Sequence, residues 1–320
     1  MPLSYMMTRL KSKGLIAIDW SDYFLRVVVL RKKNQGYELV AADSAELEHG
    51  MIENGQIVDF AEVAESLLGL LKRNKIKHKQ AAFVINGANV ISKRLRFDEG
   101  LTEAQIHDEI VIDFNKHVSY PPEETFYDFE VQKKEENTNS SKQEVLFIAA
   151  HKDQIGQYEQ LAKICRLHLE IIDIDNYVLQ RFVEIFYPKE KQDCWALICL
   201  NFKRFKLHIL DENQIYLSEQ KTISAGLSEA EYLNALNAWL MRNMQMFEVS
   251  NRGKKPQKIV LYGDRVEINN IIASFKDMMQ LDVMVLDPFA HLGNPQAAAN
   301  ITHKASYLLT IALATRPEVN

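Results

Sequence analysis

The first part of the chain carries three successive apolar runs, at residues 15–20, 24–31 and 37–47. The second run contains the stretch "VVVL", and the polar letters "KKNQG" separate it from the third. Short runs rich in β-branched residues and bounded by polar turns are typical of β-strands joined in hairpins. The same arrangement returns near residue 195, as "CWALICLN", "RFKLHILD" and "QIYLSEQKTI". The repeated pattern predicts two lobes related by internal duplication.

Helical periodicity follows each set of strands. Asp59 and Glu62 have the spacing of a capping box, which marks the start of a helix. Val63, Leu67 and Leu70 then fall on one helical face. A similar capped pattern opens with "SEAEYL" in the second lobe. The chain is therefore predicted to be an α/β protein in which each lobe combines a sheet with helices.

A segment inside the first lobe has its own order of helix, two strands, helix and strand. An apolar stripe at a spacing of four predicts its first helix, and the letters "SYPPEE" end that helix because paired prolines cannot continue it. The stripe consists of Ile106, Ile110, Phe114 and Val118. This pattern predicts a small α/β domain inserted into the first lobe. The predicted divisions are 1–97 for the first lobe, 98–170 for the inserted domain, 171–192 for the return to the first lobe and 193–320 for the second lobe.

Composition narrows the classes of function. The 320 residues carry a net charge of −5, and 47% of them are apolar and 25% charged. This profile is typical of a soluble globular protein and does not favour nucleic acid as a partner. The N-terminal letters "MPLSYMMTRLKSK" have the wrong order of charge and apolar residues for a secretory signal, so a cytoplasmic location is predicted. The three cysteines and nine histidines show no metal-ligand spacing, so no metal site is predicted.

Several stretches resemble one protein family. The first hairpin, "AIDWSDYFLR", places an acid, a serine and a second acid between two strands, as the phosphate loops of actin-like ATPases do. The letters "VSYPPEETFYDFEV", residues 118–131, resemble the Y-P-x-E-E…D-F-E-V signature of PilM, the actin-like family of type IV pilus machines. "HGMIENGQIVDFAEVAESL" and "ASYLLTIALATR" also match its pattern. The resemblance covers about the whole chain and implies an actin-like ATPase fold with a small SHS2-like domain inserted in the first lobe.

The resemblance also implies a nucleotide site, whose first phosphate loop reads roughly D-I-[GS]-S-x-x-V-K in the family. Asp19 matches the acid and Ser21 matches the second small residue. Asp22 puts a carboxylate where the family has a hydroxyl, and Arg26 stands in place of the lysine. A second carboxylate repels a triphosphate unless a metal ion intervenes. Gly263 remains from the pair of glycines that contacts adenosine, and it completes the predicted degenerate site.

The second phosphate loop departs further from the family pattern. D-I-G-A-x-x-T becomes "CLNFKRFK" in this chain. Cys199 stands where the acid holds a hydrated metal ion, and a neutral thiol cannot take that role. Asn201 replaces the glycine that allows phosphate to approach the backbone closely. Half of the predicted nucleotide clamp is therefore lost.

Three hypotheses about function stay open at this point. An ATPase would use Asp19 and Ser21 with bound magnesium, whereas a nucleotide-binding protein without turnover would keep ATP between the lobes. A scaffold would use the actin-like body only to bind other proteins. We favour the scaffold, because phosphoryl transfer depends on a positioned metal ion and phosphate that the second loop can no longer supply. ATP with magnesium is the alternative cofactor, and no residue is predicted to be catalytic.

The resemblance implies a partner as well. PilM proteins bind the short cytoplasmic N-terminal tail of the inner-membrane protein PilN between the first lobe and the inserted domain, within a machine driven by pilus motor ATPases. In this chain the expected groove walls are "NVISKRLRF" and the helix end that follows the inserted stripe. An exposed strand edge with solvated basic side chains explains the first wall equally well. A type II secretion or MSHA-pilus homologue is the alternative family member. The predicted peptide-binding residues are Ile91, Lys93, Arg94, Arg96, Tyr120 and Pro121.

Overall fold

The computed structural model contains two lobes and a small third domain. No helix in the part of the chain that it describes is long and apolar enough to cross a membrane. The N-terminal letters considered above as a signal lie outside the described residues. The structure describes residues 15–34, 36–132, 142–190, 192–212, 214–224, 226–267, 271–279 and 281–316.

The elements alternate between strands and helices along the chain. The first lobe begins with β1 (Ile16–Trp20), β2 (Phe24–Lys33), β3 (Gly36–Glu46), β4 (Ile52–Glu53), β5 (Gln56–Ile57), α1 (Phe60–Arg73) and β6 (Gln80–Ile85). Next come β7 (Val90–Asp98), α2 (Glu103–Ile112), α3 (Phe114–His117), β8 (Thr125–Val131), β9 (Lys142–His151), α4 (Lys152–Ile164), β10 (His168–Ile174) and α5 (Asp175–Phe186). The second lobe contains β11 (Trp195–Leu200), β12 (Arg204–Asp211), β13 (Gln214–Thr222), α6 (Glu229–Ser250), β14 (Lys258–Tyr262), α7 (Ile271–Met279), β15 (Asp282–Val285) and α8 (Leu308–Ala314).

The two lobes have the same sheet topology. The first sheet has the strand order β10-β6-β1-β2-β3, and the second has the order β15-β14-β11-β12-β13. In each sheet the three-stranded meander is antiparallel, and the remaining two strands run parallel to its first strand. β1 therefore corresponds to β11, β2 to β12 and β6 to β14. The matching strand orders confirm the internal duplication that the repeated apolar pattern predicts.

The inserted domain is a three-stranded antiparallel sheet in the order β7-β9-β8, covered on one face by α2 and α3. All four residues of the predicted stripe are buried in this small core. β7 belongs to this sheet, although residues up to 97 were assigned to the first lobe. β10 pairs with β6 in the first-lobe sheet, although the predicted boundary at 170 divides this strand between the insert and the first lobe. The sheet boundaries thus differ from the predicted divisions at 98 and 170, because a period of two does not say which sheet a strand joins.

The hydrophobic cores follow the alternation along each strand. Ile16 and Ile18 of β1 face a core formed with α1 and α4, whereas Ala17 faces the core that contains α5 and α8. That second core continues into the second-lobe sheet, so the two lobes share buried apolar side chains. α8 is buried along its whole length and packs against β1, β2 and α5. The last helix, which follows the second-lobe strands in the sequence and was assigned to the second lobe, therefore packs on the first-lobe sheet.

Candidate functional site

A cleft lies between the lobes, at the carboxyl ends of their parallel strands. β1 and β6 end at this cleft from the first lobe, and β11 and β14 end at it from the second. Doubly wound α/β folds bind ligands at this end of the sheet. The structure brings together here all five residues of the predicted degenerate site. They are Asp19, Ser21, Asp22, Arg26 and Gly263.

The cleft is too small for a nucleotide. Its free volume is about 70 Å³. A water molecule occupies about 30 Å³ of liquid, and small-molecule pockets have volumes of roughly 300–1,000 Å³. Side chains fill the remaining space. Trp20 stacks on Tyr158 with ring centroids 4.9 Å apart, and its Nε1 donates a hydrogen bond of 3.2 Å to the Gly55 carbonyl oxygen.

Arg26 spans the cleft from β2 and forms an ion pair with Asp264, in the loop after β14. Its Nε also donates a hydrogen bond of 3.0 Å to the Ser306 hydroxyl. The two charged side chains are only 5% and 2% exposed, so water screens their attraction very little. Arg26 was predicted to bind phosphate. Its guanidinium is instead neutralised by a carboxylate of the second lobe.

Lys206 makes the matching contact from β12. Its Nζ lies 2.7 Å from Asp175 Oδ2, at the first residue of α5, and Asp175 Oδ1 accepts a hydrogen bond from the Gly87 backbone N–H at 2.8 Å. Burial would raise the pKa of the Asp175 carboxyl, but the Lys206 charge, the neighbouring His208 and these hydrogen bonds outweigh it and hold the pKa below its usual range. Asp175 is therefore ionised at neutral pH, and it forms an ion pair with Lys206, the second base of the cleft.

The acidic side chains of the first turn do not form a phosphate loop. Burial raises the pKa of Asp19 to about 6, against the attraction of the Arg26 and Lys206 charges. The Ser21 hydroxyl accepts a hydrogen bond of 3.2 Å from the Phe24 backbone N–H, so it closes the hairpin turn. Asp22 is 6% exposed and its Oδ1 has no hydrogen-bond partner. The added carboxylate thus lies buried beside the place where a triphosphate would carry its charge.

The second turn has a structural role as well. Burial raises the pKa of the Cys199 thiol to about 12, so the thiol is neutral and a poor magnesium ligand. Asn201 Oδ1 accepts a hydrogen bond of 3.1 Å from the Asp264 backbone N–H. Gly263 has φ +106°, and a Cβ there would lie 2.7 Å from the Leu200 carbonyl oxygen. Gly263 therefore allows two backbone segments of the second lobe to meet.

Aromatic residues of the two hairpin turns contact each other between the lobes. Tyr23 of the first turn and Phe202 of the second make an edge-to-face contact with ring centroids 5.1 Å apart. Lys203 lies over the Tyr23 ring at 5.3 Å, and Arg265 lies over the Phe202 ring at 5.1 Å. The sequence analysis did not predict this contact. The replacement of a small residue by Phe202 was the available signal, but its partner is far away in the sequence.

The residues of the cleft do not fit ATP with magnesium. Two of the three bases that line it on the hairpin strands, Arg26 and Lys206, are paired with carboxylates, the expected metal-binding acid of the second turn is a thiol, and the free volume is far below that of a small-molecule pocket. Asp175 and Asp264 pair with Lys206 and Arg26, and neither carboxylate was predicted to have this role. An acid after the apolar run "EIIDI" was the only signal for Asp175.

The residues predicted to bind a peptide do not share one wall. Successive residues of β7 point to opposite faces, so Ile91 and Lys93 lie on the face covered by helices, and Arg94 and Arg96 lie on the other. Both arginines form ion pairs with Glu144 of β9. The six residues are therefore divided between at least two surfaces.

Tyr120 and Pro121 lie by the other edge of the inserted sheet. The Tyr120 ring contacts the His151 ring at the end of β9, with centroids 5.1 Å apart, and the Pro121 carbonyl oxygen accepts a hydrogen bond from the Thr125 hydroxyl at the start of β8. β9 separates β7 from β8, so the two edges are about 10 Å apart. These two residues do not face the β7 edge.

Two lobes of identical strand order around a cleft at the carboxyl ends of their strands define the actin-like ATPase fold. In this chain the cleft carries Cys199 and Asn201 on the second-lobe turn and the Arg26–Asp264 pair between the lobes. The family described as "Type IV pilus assembly protein PilM" matches residues 17–228, which is more than half of the chain. The chain therefore belongs to the PilM family.

Solved structures share this architecture over nearly the whole chain. A PilM-PilN type IV pilus biogenesis complex matches with a TM-score of 0.80 and 13% identity, over 95% of this chain and 98% of that chain. The ethanolamine utilization protein EutJ from Carboxydothermus hydrogenoformans matches with a TM-score of 0.52 and 9% identity, over 98% and 93% of the two chains. At these identities the likeness establishes the fold.

Proposed function

We propose that this protein is a scaffold of a type IV pilus assembly machine. It binds the N-terminal cytoplasmic tail of a PilN-like inner-membrane protein, and it connects that protein to the pilus motor ATPases. Family membership and the full-length similarity to a PilM-PilN complex carry this proposal. The filled cleft supports a role that needs no ATP hydrolysis. The protein acts at the cytoplasmic face of the inner membrane through its partner.

The free edge of β7 is the site that we propose for the tail. β7 pairs with β9 on one side, and no described strand pairs with it on the other. An extended peptide that adds to such an edge gains backbone hydrogen bonds, and its side chains point alternately to the two faces of the sheet. One face offers the half-buried apolar residues Ile91 and Leu95, and the other offers Arg94 and Arg96.

Contacts from both lobes surround this edge. The Ser92 hydroxyl lies 2.7 Å from the Tyr177 hydroxyl of α5, and Arg94 donates a hydrogen bond of 3.1 Å to the Gln214 side chain of β13. The face of β7 that carries Ser92 and Arg94 therefore lies against both lobes. A peptide added to the edge of β7 would lie beside these contacts between the inserted domain and the lobes.

Binding of synthetic tail peptides tests the site. The protein is titrated with a synthetic peptide of the N-terminal segment of a PilN-like protein, and binding is measured by fluorescence anisotropy. Two further peptides carry N-methyl groups at alternate residues, one on the odd positions and one on the even positions. Strand addition uses the N–H groups of one set only, so one methylated peptide should lose binding and the other should keep it. Equal loss or equal retention would exclude strand addition.

A variant of the protein provides the matched control. Arg96→Glu on β7 reverses an exposed charge at the proposed site, whereas Arg31→Glu reverses an exposed charge on β2, outside it. We expect Arg96→Glu to change tail affinity several-fold and Arg31→Glu to leave it unchanged. If no peptide binds to the folded protein, the scaffold proposal for this tail is wrong.

Thermal unfolding with nucleotide tests the absence of an ATP role. A ligand that binds the native state alone must raise the melting temperature. We expect no change with millimolar ATP and magnesium. A rise would contradict the nucleotide-independent scaffold and would leave the tail-binding site to be judged by the peptides.

A further inference from the structure

Arg26 and Lys206 occupy equivalent positions in the duplicated lobes. Arg26 on β2 is the cross-strand neighbour of Asp19 on β1, and Lys206 on β12 is the cross-strand neighbour of Cys199 on β11. Each base therefore projects from the second strand of its hairpin into the cleft. The two bases are related by the internal duplication of the fold.

Each base is bound by a carboxylate that belongs to the other half of the cleft. Arg26 of the first lobe pairs with Asp264 of the second, and Lys206 of the second lobe pairs with Asp175 of the first. Side-chain exposure in the two pairs ranges from 1% to 11%. The loss of one partner from such a buried pair leaves an uncompensated charge, so each pair resists separation of the lobes.

Hydrogen bonds fix the chain segments that carry these carboxylates. Asp175 accepts hydrogen bonds from the Gly87 and Asn176 N–H groups, at 2.8 and 2.9 Å. The loop that carries Asp264 is held by Asn201, whose side chain accepts a hydrogen bond from the Asp264 N–H. Asn201 stands where a phosphate loop needs glycine, and it fixes the internal ligand of Arg26.

We propose that the cleft is a self-liganded clamp, in which Asp264 and Asp175 bind the two bases in place of phosphate oxygens and hold the lobes closed without nucleotide. The Tyr23–Phe202 contact is a further link between a first-lobe turn and a second-lobe turn. The relative position of the lobes is then independent of ATP. This inference concerns the cleft alone and does not depend on tail binding at β7.

Distance measurements between the lobes test the clamp. Spin labels are attached at Glu65→Cys on α1 and Gln245→Cys on α6, two exposed positions on helices that correspond in the two lobes. The distribution of distances between the labels is measured by electron double resonance. The three native cysteines are buried, so labelling is selective. We expect one narrow distribution that ATP or ADP with magnesium leaves unchanged. A nucleotide-dependent shift of more than about 2 Å, the size of a domain rearrangement on binding, would overturn the proposal.

Substitution of the two bases supplies the second arm. Arg26→Met with Lys206→Met should broaden the distribution or move it to longer distance, whereas Arg26→Lys with Lys206→Arg should keep it narrow. Arg31→Met, which removes an exposed base that pairs within its own lobe, is the matched control and should have no effect. An unchanged distribution in the folded Arg26→Met/Lys206→Met variant would exclude the clamp. If that variant does not fold, the nucleotide titration of the labelled protein decides.

Discussion

The two hairpin turns of the cleft occupy the same place in duplicated lobes but differ in their residues. The first turn keeps Asp19 and Ser21 of a phosphate loop, whereas the second has Cys199 and Asn201. Both turns nevertheless have the same kind of role here. Ser21 accepts a hydrogen bond within its own hairpin, and Asn201 accepts one from the neighbouring loop.

This difference shows that the two sheets of the fold and the phosphate site depend on different physical requirements. The sheets depend on the burial of alternating apolar residues and on strand pairing, to which the turn side chains contribute little. A phosphate site depends on a few polar atoms at set positions, so single replacements abolish it. One turn could therefore lose its chemistry entirely while the strand order of the two lobes stayed the same.

The largest effect is expected when a buried pair of the clamp is broken on one side. Arg26→Met leaves the Asp264 carboxylate buried without its partner, and we expect a loss of about 3–5 kcal/mol in the free energy of unfolding. Arg26→Met with Asp264→Leu removes both charges and should cost less than Arg26→Met alone. Urea denaturation measures both variants. A double variant that is less stable than the single one would show that the carboxylate does not depend on Arg26.

Gly87 and Gly263, which follow β6 and β14, allow a further comparison of the two lobes. We expect alanine substitution to lower stability more at Gly263, in the second lobe, than at Gly87. At Gly263 a Cβ would lie 2.7 and 2.9 Å from backbone atoms of Leu200, and φ is +106°. Gly263→Ala should cost about 3 kcal/mol, because neither the backbone nor the dihedral can yield cheaply. Gly253→Ala, with φ +83° and open space around it, is the control for the dihedral alone. Equal losses in the two variants would show that the close approach to Leu200 does not matter.

The corresponding first-lobe glycine, Gly87, should tolerate alanine better. Its φ is ordinary, but a Cβ would lie 2.8 Å from Asp175 Oδ1. Because a side chain must move and not the backbone, we expect Gly87→Ala to cost about 1–2 kcal/mol, measured by urea denaturation. Gly156→Ala, in an open position of α4, should be neutral or slightly stabilising. Full stability of Gly87→Ala would mean that Asp175 does not need its backbone hydrogen bond.

The smallest effect on stability is expected at Asp19, the acid that the first turn has and the second turn lacks. The pKa of Asp19 is about 6 in the folded protein and lies near 3.9 in an unfolded chain, so folding favours the protonated acid. Ionised Asp19 therefore lowers stability progressively as the pH rises from about 4 to 6. Asp19→Asn should stabilise the protein by about 1–2 kcal/mol at pH 7.5, and this gain should disappear near pH 4.

Thermal unfolding at the two pH values checks this expectation. Ser21→Ala, at the rim of the same turn and without a titrating group, is the control and should show the same change in stability at both pH values. Destabilisation by Asp19→Asn at pH 7.5 would mean that the carboxylate makes a favourable contact with the bases of the cleft.

The sequence by itself determined the frame of this protein. Apolar alternation placed the hairpin strands, and spacings such as those of Asp59 and Ser228 marked helix starts that both have side-chain caps in the structure. The motif between residues 118 and 131 identified the family before any fold was known. These features are local, since each depends on residues a few positions apart.

Only the tertiary structure decided what occupies the cleft and where each strand of the insert belongs. Arg26 and Asp264 are 238 positions apart, and no local pattern reports that they form a pair. β7 alternates like any strand, and only its pairing with β9 assigns it to the inserted sheet. The replaced residues of the two turns predicted the loss of nucleotide chemistry. The carboxylates that pair with Arg26 and Lys206 became visible only when the folded chain brought the two lobes together.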